Sequence, residues 1–273
     1  MPVLSQIHLY PVKSLAGFQV STWPVDQNGL RYDRKWMLVD EQGDFLSQRR
    51  LPRMALISTQ IKEQRLFLTA PGHSEYSVAL ETEDGEELTV QIWHDQCIAK
   101  TCDARLDNWL SDYLGTSCRL VYLPEHSIRR VDPNYALSSD QTAFSDGFPF
   151  LLVSEASLQA LNNAMSLELD MIRFRPNLVV AECASYAEDS WRQIIINDIH
   201  FRLPKPCSRC SVPTIDPQTA LSGKEPLTTL ARLRKWQNKV YFGQNVLHDQ
   251  QGVLSVGSLI EIVETGERQP PLA

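Results

Sequence analysis

The chain has 273 residues, 43% of them hydrophobic and 22% charged, with 12 Gly and 16 Pro; it is long enough for about two domains or one large one, and its composition excludes a disordered, collagenous or staple-dependent small protein. A formal net charge of −7 and a pI near 5.4 set the surface as a whole against a phosphate backbone, so no polymeric nucleic acid is expected as a partner. No apolar run approaches the ~20 residues that cross a bilayer, and Gln6 and His8 interrupt the N-terminal stretch a secretion signal would need, so the expectation is no membrane association and cytoplasmic residence.

In chain order, strand-forming runs occur at 4–10, 36–39, 54–61, 65–69, 76–80, 88–93 and 97–101, separated by turn-prone pairs such as Gln42-Gly43 and Pro71-Gly72. Many short, closely spaced strands predict a barrel or sandwich. Leu106, Trp109, Leu110, Tyr113 and Leu114 then recur at helical spacing, and Gly115 stands where a C-cap is needed. Residues 124–147 are polar and aperiodic, longer than most connections in compact domains, which marks a boundary or a functional loop. Beyond them the pattern predicts a strand at 150–153 and a helix capped by Ser154 with the stripe Leu158, Leu161 and Met165. Strands near 177–181, 194–203, 239–246 and 258–263 follow, with a short helix from Pro226 through Leu227, Leu230 and Leu233. The expected fold class is mainly β with a few short helices (α+β).

The common dinucleotide, P-loop, serine-hydrolase and zinc-protease patterns are absent, and the six His are scattered without a ligand-like offset. Cys97, Cys102, Cys118, Cys183, Cys207 and Cys210 are too sparse for a disulfide framework; they read as reduced thiols, most of them small buried hydrophobes. The concentrated signal is Lys205-Pro-Cys-Ser-Arg-Cys210, followed by Asp216-Pro217. Its C-x-x-C pair has four readings: half of a zinc site completed by Cys97 and Cys102, a redox dithiol, a loop thiolate beside Arg209 that ligates a soft or high-valent metal, or a buried structural pair on a turn. A dithiol wants a helix N-terminus, which Pro213 and Pro217 disfavour. Lys13-Ser14, Arg34, and Arg175 with Asn177 sit in other turns. In an acidic chain such residues are candidates for gripping one phosphate-bearing ligand, because Arg offers phosphate a planar fork and Lys a point charge. Taken singly, each reads as a solvated surface charge.

These residues fall within segments that share an order: YPVKSLAG at 10–17, GLRYDRKWMLVD at 29–40, AFSDGFPFLLVSEASL at 143–158, RFRPNLVV at 173–180, YAEDSW at 186–191, KPCSRC at 205–210, TIDP at 214–217, KEPL at 224–227 and FGQN at 242–245. Together they resemble the MOSC-domain proteins over nearly the whole chain, and within that family the mitochondrial amidoxime-reducing component and its bacterial relatives. The resemblance implies an N-terminal β-rich domain (1–120) packed on a MOSC β-barrel domain (121–266), with a molybdenum–pterin cofactor between them. By motif Cys210 matches the metal ligand and catalytic thiolate, with Cys207 its neighbour. Lys13, Ser14, Arg34, Arg175, Asn177, Ser208 and Arg209 match positions that hold the pterin and its phosphate. The turn Ser145, Asp146, Gly147 and Phe148 approaches the cofactor. At Gly147 and Phe148 this chain departs from the Thr-Ser of the mitochondrial form, so only backbone contacts carry over there. Asp146 is the second catalytic candidate, orienting water or shuttling a proton, with a turn cap as the alternative.

The implied activity is two-electron reduction of small N-hydroxylated compounds (amidoximes, hydroxylamines and N-hydroxylated bases), a detoxification. With no dinucleotide fingerprint, flavin motif or plant-type iron–sulfur spacing, and a tail at 264–273 too short for the ferredoxin-like domain of some bacterial relatives, electrons are expected from a separate donor protein: a reductase, an iron–sulfur protein or a haem protein. An alternative of a different class is a sulfur-carrier or cofactor-handling module that accepts a persulfide on Cys210. A third is an interaction module that has lost its cofactor, against which Cys210, Arg34 and Arg175 stand.

Overall fold

Alternating apolar residues in the strand runs give sheets with one buried face, and the strand buried on both faces, Phe150–Ser154, is apolar up to its last residue. The computed structural model describes residues 1–81, 85–165 and 167–271; the last two residues of the tail lie outside them. Among the described residues there are four sheets and three α-helices, Ala104–Leu114, Glu155–Asn163 and Leu227–Leu233, the mainly β architecture expected. None of these helices is long and apolar enough to cross a membrane.

The largest sheet runs in the order Ile260–Thr265, Trp191–Ile196, Ile199–Ser208, Lys239–His248, Phe150–Ser154, Leu178–Ala181, Val3–Leu9, Phe18–Val20. The first strand of the chain therefore lies inside the sheet built by its second half. Phe150–Ser154 and Leu178–Ala181 pair in parallel, which requires a crossover, and the helix Glu155–Asn163 supplies it. Phe150–Ser154 is buried at every position, as a strand covered on both faces must be. Ser154 ends that strand and begins the helix, its hydroxyl accepting from Ser157 N at 3.1 Å.

A second sheet, Trp36–Val39, Arg119–Tyr122, Asp95–Thr101 and Glu87–Ile92, carries the N-terminal half. The helix Ala104–Leu114 packs on it and on the hairpin strands Ser58–Lys62 and Arg65–Thr69, putting Leu106, Leu110 and Tyr113 against Trp36, Leu66, Leu68 and Leu120. Asp103 caps the helix start by accepting from Arg105 N at 2.7 Å, and Gly115 ends it in the left-handed region at φ 68°.

Several sequence expectations need correction. The run 194–203 is a hairpin, because Asn197 and Asp198 both take positive φ and fold Trp191–Ile196 back onto Ile199–Ser208; apolar alternation on both sides hid the turn. The run 54–61 begins as the 3₁₀ turn Pro52–Leu56, and the strand proper is Ser58–Lys62. Met165 lies beyond the end of the helix Glu155–Asn163, and the strand expected at 258–263 is Ile260–Thr265. Short edge strands such as Phe18–Val20, Thr22–Asp26 and Gly252–Ser255, and the central Arg119–Tyr122, lacked an alternating run long enough to read. The thiols also differ from expectation. All six are free, but Cys118 alone is buried, Cys210 is exposed and the rest sit half-buried at the margins of the core. Cys97 and Cys102 pack against different core clusters, and no group of three or more metal-binding side chains occurs among the described residues. The four-cysteine zinc site is therefore not assembled.

Candidate functional site

One cavity collects turns from both halves of the chain. Lys13 and Ser14 come from the turn after Val3–Leu9, and Arg34 from the turn before Trp36–Val39. Ser145, Asp146, Gly147 and Phe148 lie just ahead of Phe150–Ser154. Arg175 closes the 3₁₀ turn Met171–Phe174, Asn177 precedes Leu178–Ala181, and Ser208, Arg209 and Cys210 end the strand Ile199–Ser208. Every candidate residue read from the sequence thus lines one space, with Cys207 beside them. Ser14, Arg34 and Arg175 all adopt positive φ, at 67°, 48° and 56°. Residues with a side chain keep that conformation where the surroundings fix it, and such positions cluster at binding sites.

The floor of the cavity is cationic. Arg34 donates to the buried Asp33 carboxylate, to Asn177 Oδ1 at 2.9 Å and to Arg175 O at 3.2 Å. Asn177 is 1% exposed, and its amide also donates to His8 O at 3.2 Å. Its side chain is thereby committed to holding Arg34 and the strand ends together. The guanidinium groups of Arg34 and Arg175 lie 4.4 and 4.3 Å from the Tyr10 ring centroid, a close approach of two cations that the π face of Tyr10 makes tolerable. Burial and the charge of Arg34 pull Arg175 down to about 10, and burial pushes the Tyr10 hydroxyl up to about 12 against the two arginines. Arg175 has no carboxylate partner among the described residues. It donates to Leu15 O at 2.6 Å, while its Nη2 is buried and unpartnered.

The thiols come from the end of the strand Ile199–Ser208. Arg209 donates to Phe174 O at 2.7 Å and to Cys207 Sγ at 3.3 Å, leaving its buried Nε unpartnered. Burial pushes the Cys207 thiol up, with Arg209 opposing it. Cys210 is exposed to the cavity, and Arg49 reaches it from the N-terminal half, Nη1 to Sγ 3.8 Å. Arg49 itself rests 4.6 Å from the Trp93 ring centroid, and Trp93 Nε1 donates to Asp146 Oδ1 at 3.2 Å. Lys13, nearly buried, completes the chain by donating to Asp146 Oδ1 at 2.5 Å and to Phe144 O at 2.8 Å. Desolvation works against the Asp146 charge, but Lys13, the Trp93 N–H and Arg49 hold its carboxyl well below the usual range. The carboxyl is therefore an anion at neutral pH, and burial pulls Lys13 down while Asp146 supports it.

Sequence reasoning missed three residues that build this site. Asp33 is a buried counter-charge that sits inside Tyr-Asp-Arg with no mark to distinguish it from a surface acid. Arg49 lies in a run of polar and basic residues that reads as a solvated turn. Arg129, 5% exposed in the aperiodic loop, donates to Ala143 O at 2.9 Å, Ser145 O at 2.5 Å and Asp146 O at 3.3 Å, with Asp95 Oδ2 at 2.8 Å as its counter-charge. It fixes the backbone of the turn that carries Asp146. The length of the aperiodic loop was the available signal for Arg129, and it gave the region without the residue.

The chain is similar in sequence to known proteins. The MOSC N-terminal beta barrel domain matches residues 1–117, and the MOSC domain matches residues 139–261. The chain is 33% identical over 279 residues to mitochondrial amidoxime-reducing component 1 of Mus musculus, covering 95% of this chain and 82% of that protein. The same component from Homo sapiens is 32% identical over 278 residues, with the same shares covered. Molybdenum cofactor sulfurase of Oryza sativa subsp. japonica is 32% identical over 262 residues, covering 88% of this chain and 32% of that much longer protein. The matched segments include every turn that lines the cavity, and by these likenesses the chain belongs to the MOSC-domain proteins, with the MOSC N-terminal and MOSC domains in succession.

Proposed function

We propose that the cavity holds a molybdenum–pterin cofactor and that the chain reduces N-hydroxylated compounds with electrons from a separate donor protein. The observation that carries this reading is the pair of buried, unpartnered guanidinium nitrogens, Arg175 Nη2 and Arg209 Nε, lining the same cavity as the exposed Cys210 thiol. A buried donor without an acceptor is costly unless a ligand supplies one. Arg49, Arg175 and Arg209 also lack a carboxylate partner among the described residues, in a chain of net charge −7. This donor set fits a group that bears a phosphate and presents a thiophilic metal.

In this reading Arg34, Arg175 and Arg209 hold the anionic end, Ser14 and Ser208 stand beside it as hydroxyl donors, and Cys210 supplies the thiolate ligand. Asn177 positions Arg34 without spare valence for a ligand. When bound, the metal supplies the two-electron exchange. Reduction of an N-hydroxy group breaks the N–O bond, takes up two electrons and two protons, and releases water. Asp146, held ionised by Lys13, accepts hydrogen bonds and orients water or substrate; it is too acidic to serve as the proton donor at neutral pH. Arg49 places a positive charge beside Cys210 and the space in front of it.

The test is to give holo-protein an artificial one-electron donor with benzamidoxime or a hydroxylaminopurine. Turnover that depends on Cys210 supports the reading. No turnover in a sample with full, intact cofactor overturns it, and a persulfide on Cys210 under sulfur-donor conditions would then favour the carrier role.

A further inference from the structure

Lys205 is a cation beside the cavity, joined to it through the Phe148 ring, that the proposed cofactor site does not use. It stands in register with Asn245, which is in register with Leu151, and both of those line the cavity. Residues directly opposite in an antiparallel ladder project to the same face, so Lys205 shares the face of Asn245, two residues before Cys207. Its ammonium lies 4.0 Å from the Tyr135 ring centroid and 5.6 Å from that of Phe148. The two rings meet edge to face at 6.3 Å. Phe148 lines the cavity, whereas Tyr135 is 39% exposed, so the three side chains run from the interior to the rim.

The state of this ammonium differs from that of Lys13. Lys13 is saturated by Asp146 and Phe144 O. Among the described residues Lys205 has no carboxylate within ion-pair distance and no hydrogen-bond acceptor; it rests on the two rings, and the Asp132 charge acts on it only from beyond ion-pair distance. Aromatic faces stabilise a cation without neutralising it. The site is therefore left with a half-buried positive charge at the end of an aromatic wall.

We infer that Lys205, with Tyr135 and Phe148, selects substrates that carry an anionic group on a flat ring: the ring lies along the Phe148–Tyr135 wall and a carboxylate or phosphonate meets the ammonium. This rests on the reading of the cavity as an N-hydroxy reductase site. Lys205 touches the substrate's remote end and acts on binding.

The experiment compares benzamidoxime with its para-carboxylate, para-phosphonate and para-aminomethyl derivatives on holo-protein, in wild type and in Lys205→Ala, Lys205→Arg and Lys205→Glu. In wild type, kcat/KM for the carboxylate or phosphonate exceeds that for benzamidoxime about tenfold, as one partly desolvated charge pair provides, and the difference lies in KM. Whichever of the two anions shows the larger ratio identifies the group the wall prefers. Lys205→Ala removes the preference, Lys205→Arg keeps it, and Lys205→Glu transfers it to the cationic derivative, while benzamidoxime itself is reduced equally by all four proteins. An anionic preference that survives Lys205→Ala, or none in wild type, overturns the inference. If loaded wild type reduces no substrate, the reductase reading has failed. Calorimetric titration of the same compounds then decides separately, with tighter anion binding by wild type than by Lys205→Ala supporting the inference and equal binding overturning it.

Discussion

Arg49 Nη1 lies 3.8 Å from Cys210 Sγ, although 161 residues separate them and they come from opposite halves of the chain. The contact brings a guanidinium supported on Trp93 to the one cysteine exposed in the cavity. Removing it takes a charge from the reacting region and little from the core. Arg49→Ala is expected to lower kcat/KM for benzamidoxime roughly tenfold, the size of one charge-assisted contact, while the melting temperature of the apo protein stays within about 2 °C of wild type. A large fall in melting temperature with unchanged turnover would make Arg49 a structural residue.

Arg34 and Arg175 look alike in sequence and separate in the structure. Arg34 is the counter-charge of Asp33, whose side chain is 1% exposed, so Arg34→Ala strands a buried carboxylate and should destabilise the apo protein by about 3 kcal/mol or more. Adding Asp33→Asn should recover most of that loss. Arg175 has only a backbone acceptor, so Arg175→Ala should cost the apo protein about 1 kcal/mol and yet release the cofactor during gel filtration. Denaturant melts of the three variants, with metal content measured beside them, check the division. Equal destabilisation by the two single substitutions would contradict it.

The fold class and the helix at 104–114 were legible because each rests on a local pattern, alternation or a helical period with a capping Gly, whereas the set of cavity residues was legible only through the resemblance of the turn motifs to the MOSC-domain proteins. What was not legible depends on partners distant in sequence. Nothing near Arg34 says that Asp33 is buried beneath it, and nothing near Asn177 says that its amide is spent on Arg34 and His8 O. The hairpin at Asn197-Asp198 was lost because apolar residues continue on both sides of the turn. Arg129 was lost because an arginine in a polar loop looks solvated until the three carbonyls it holds are seen together.

Burial lowers the His8 imidazole from 6.5 to about 4. Between those values the unfolded chain binds a proton the folded chain refuses, so stability falls as pH drops from about 6.5 to 4, by about 3 kcal/mol from this group. Asp107 and Asp189, raised to about 6 by burial, run the other way, so the quantity to measure is the difference between wild type and His8→Asn. That difference should grow in favour of the variant as pH falls through the window and level off below it. A difference independent of pH would show that His8 takes up its proton in the fold as readily as in the unfolded chain.

Electron delivery gives a prediction of a different kind. The proposed separate donor implies that holo-protein with NADH or NADPH and benzamidoxime shows no turnover alone and gains it when clarified host extract is added. Turnover by the isolated protein with a nicotinamide cofactor would contradict the need for a donor.

The central claim is that Cys210 holds molybdenum in this cavity, and metal analysis of protein made in a molybdenum-replete host tests it most directly. Wild type should carry about one molybdenum with its pterin per chain, as one ligating thiolate implies; Cys210→Ala should lose the metal, and Cys207→Ala, whose thiol is engaged with Arg209, should largely keep it. Zinc in place of molybdenum, or equal loss from both cysteine variants, would contradict the account.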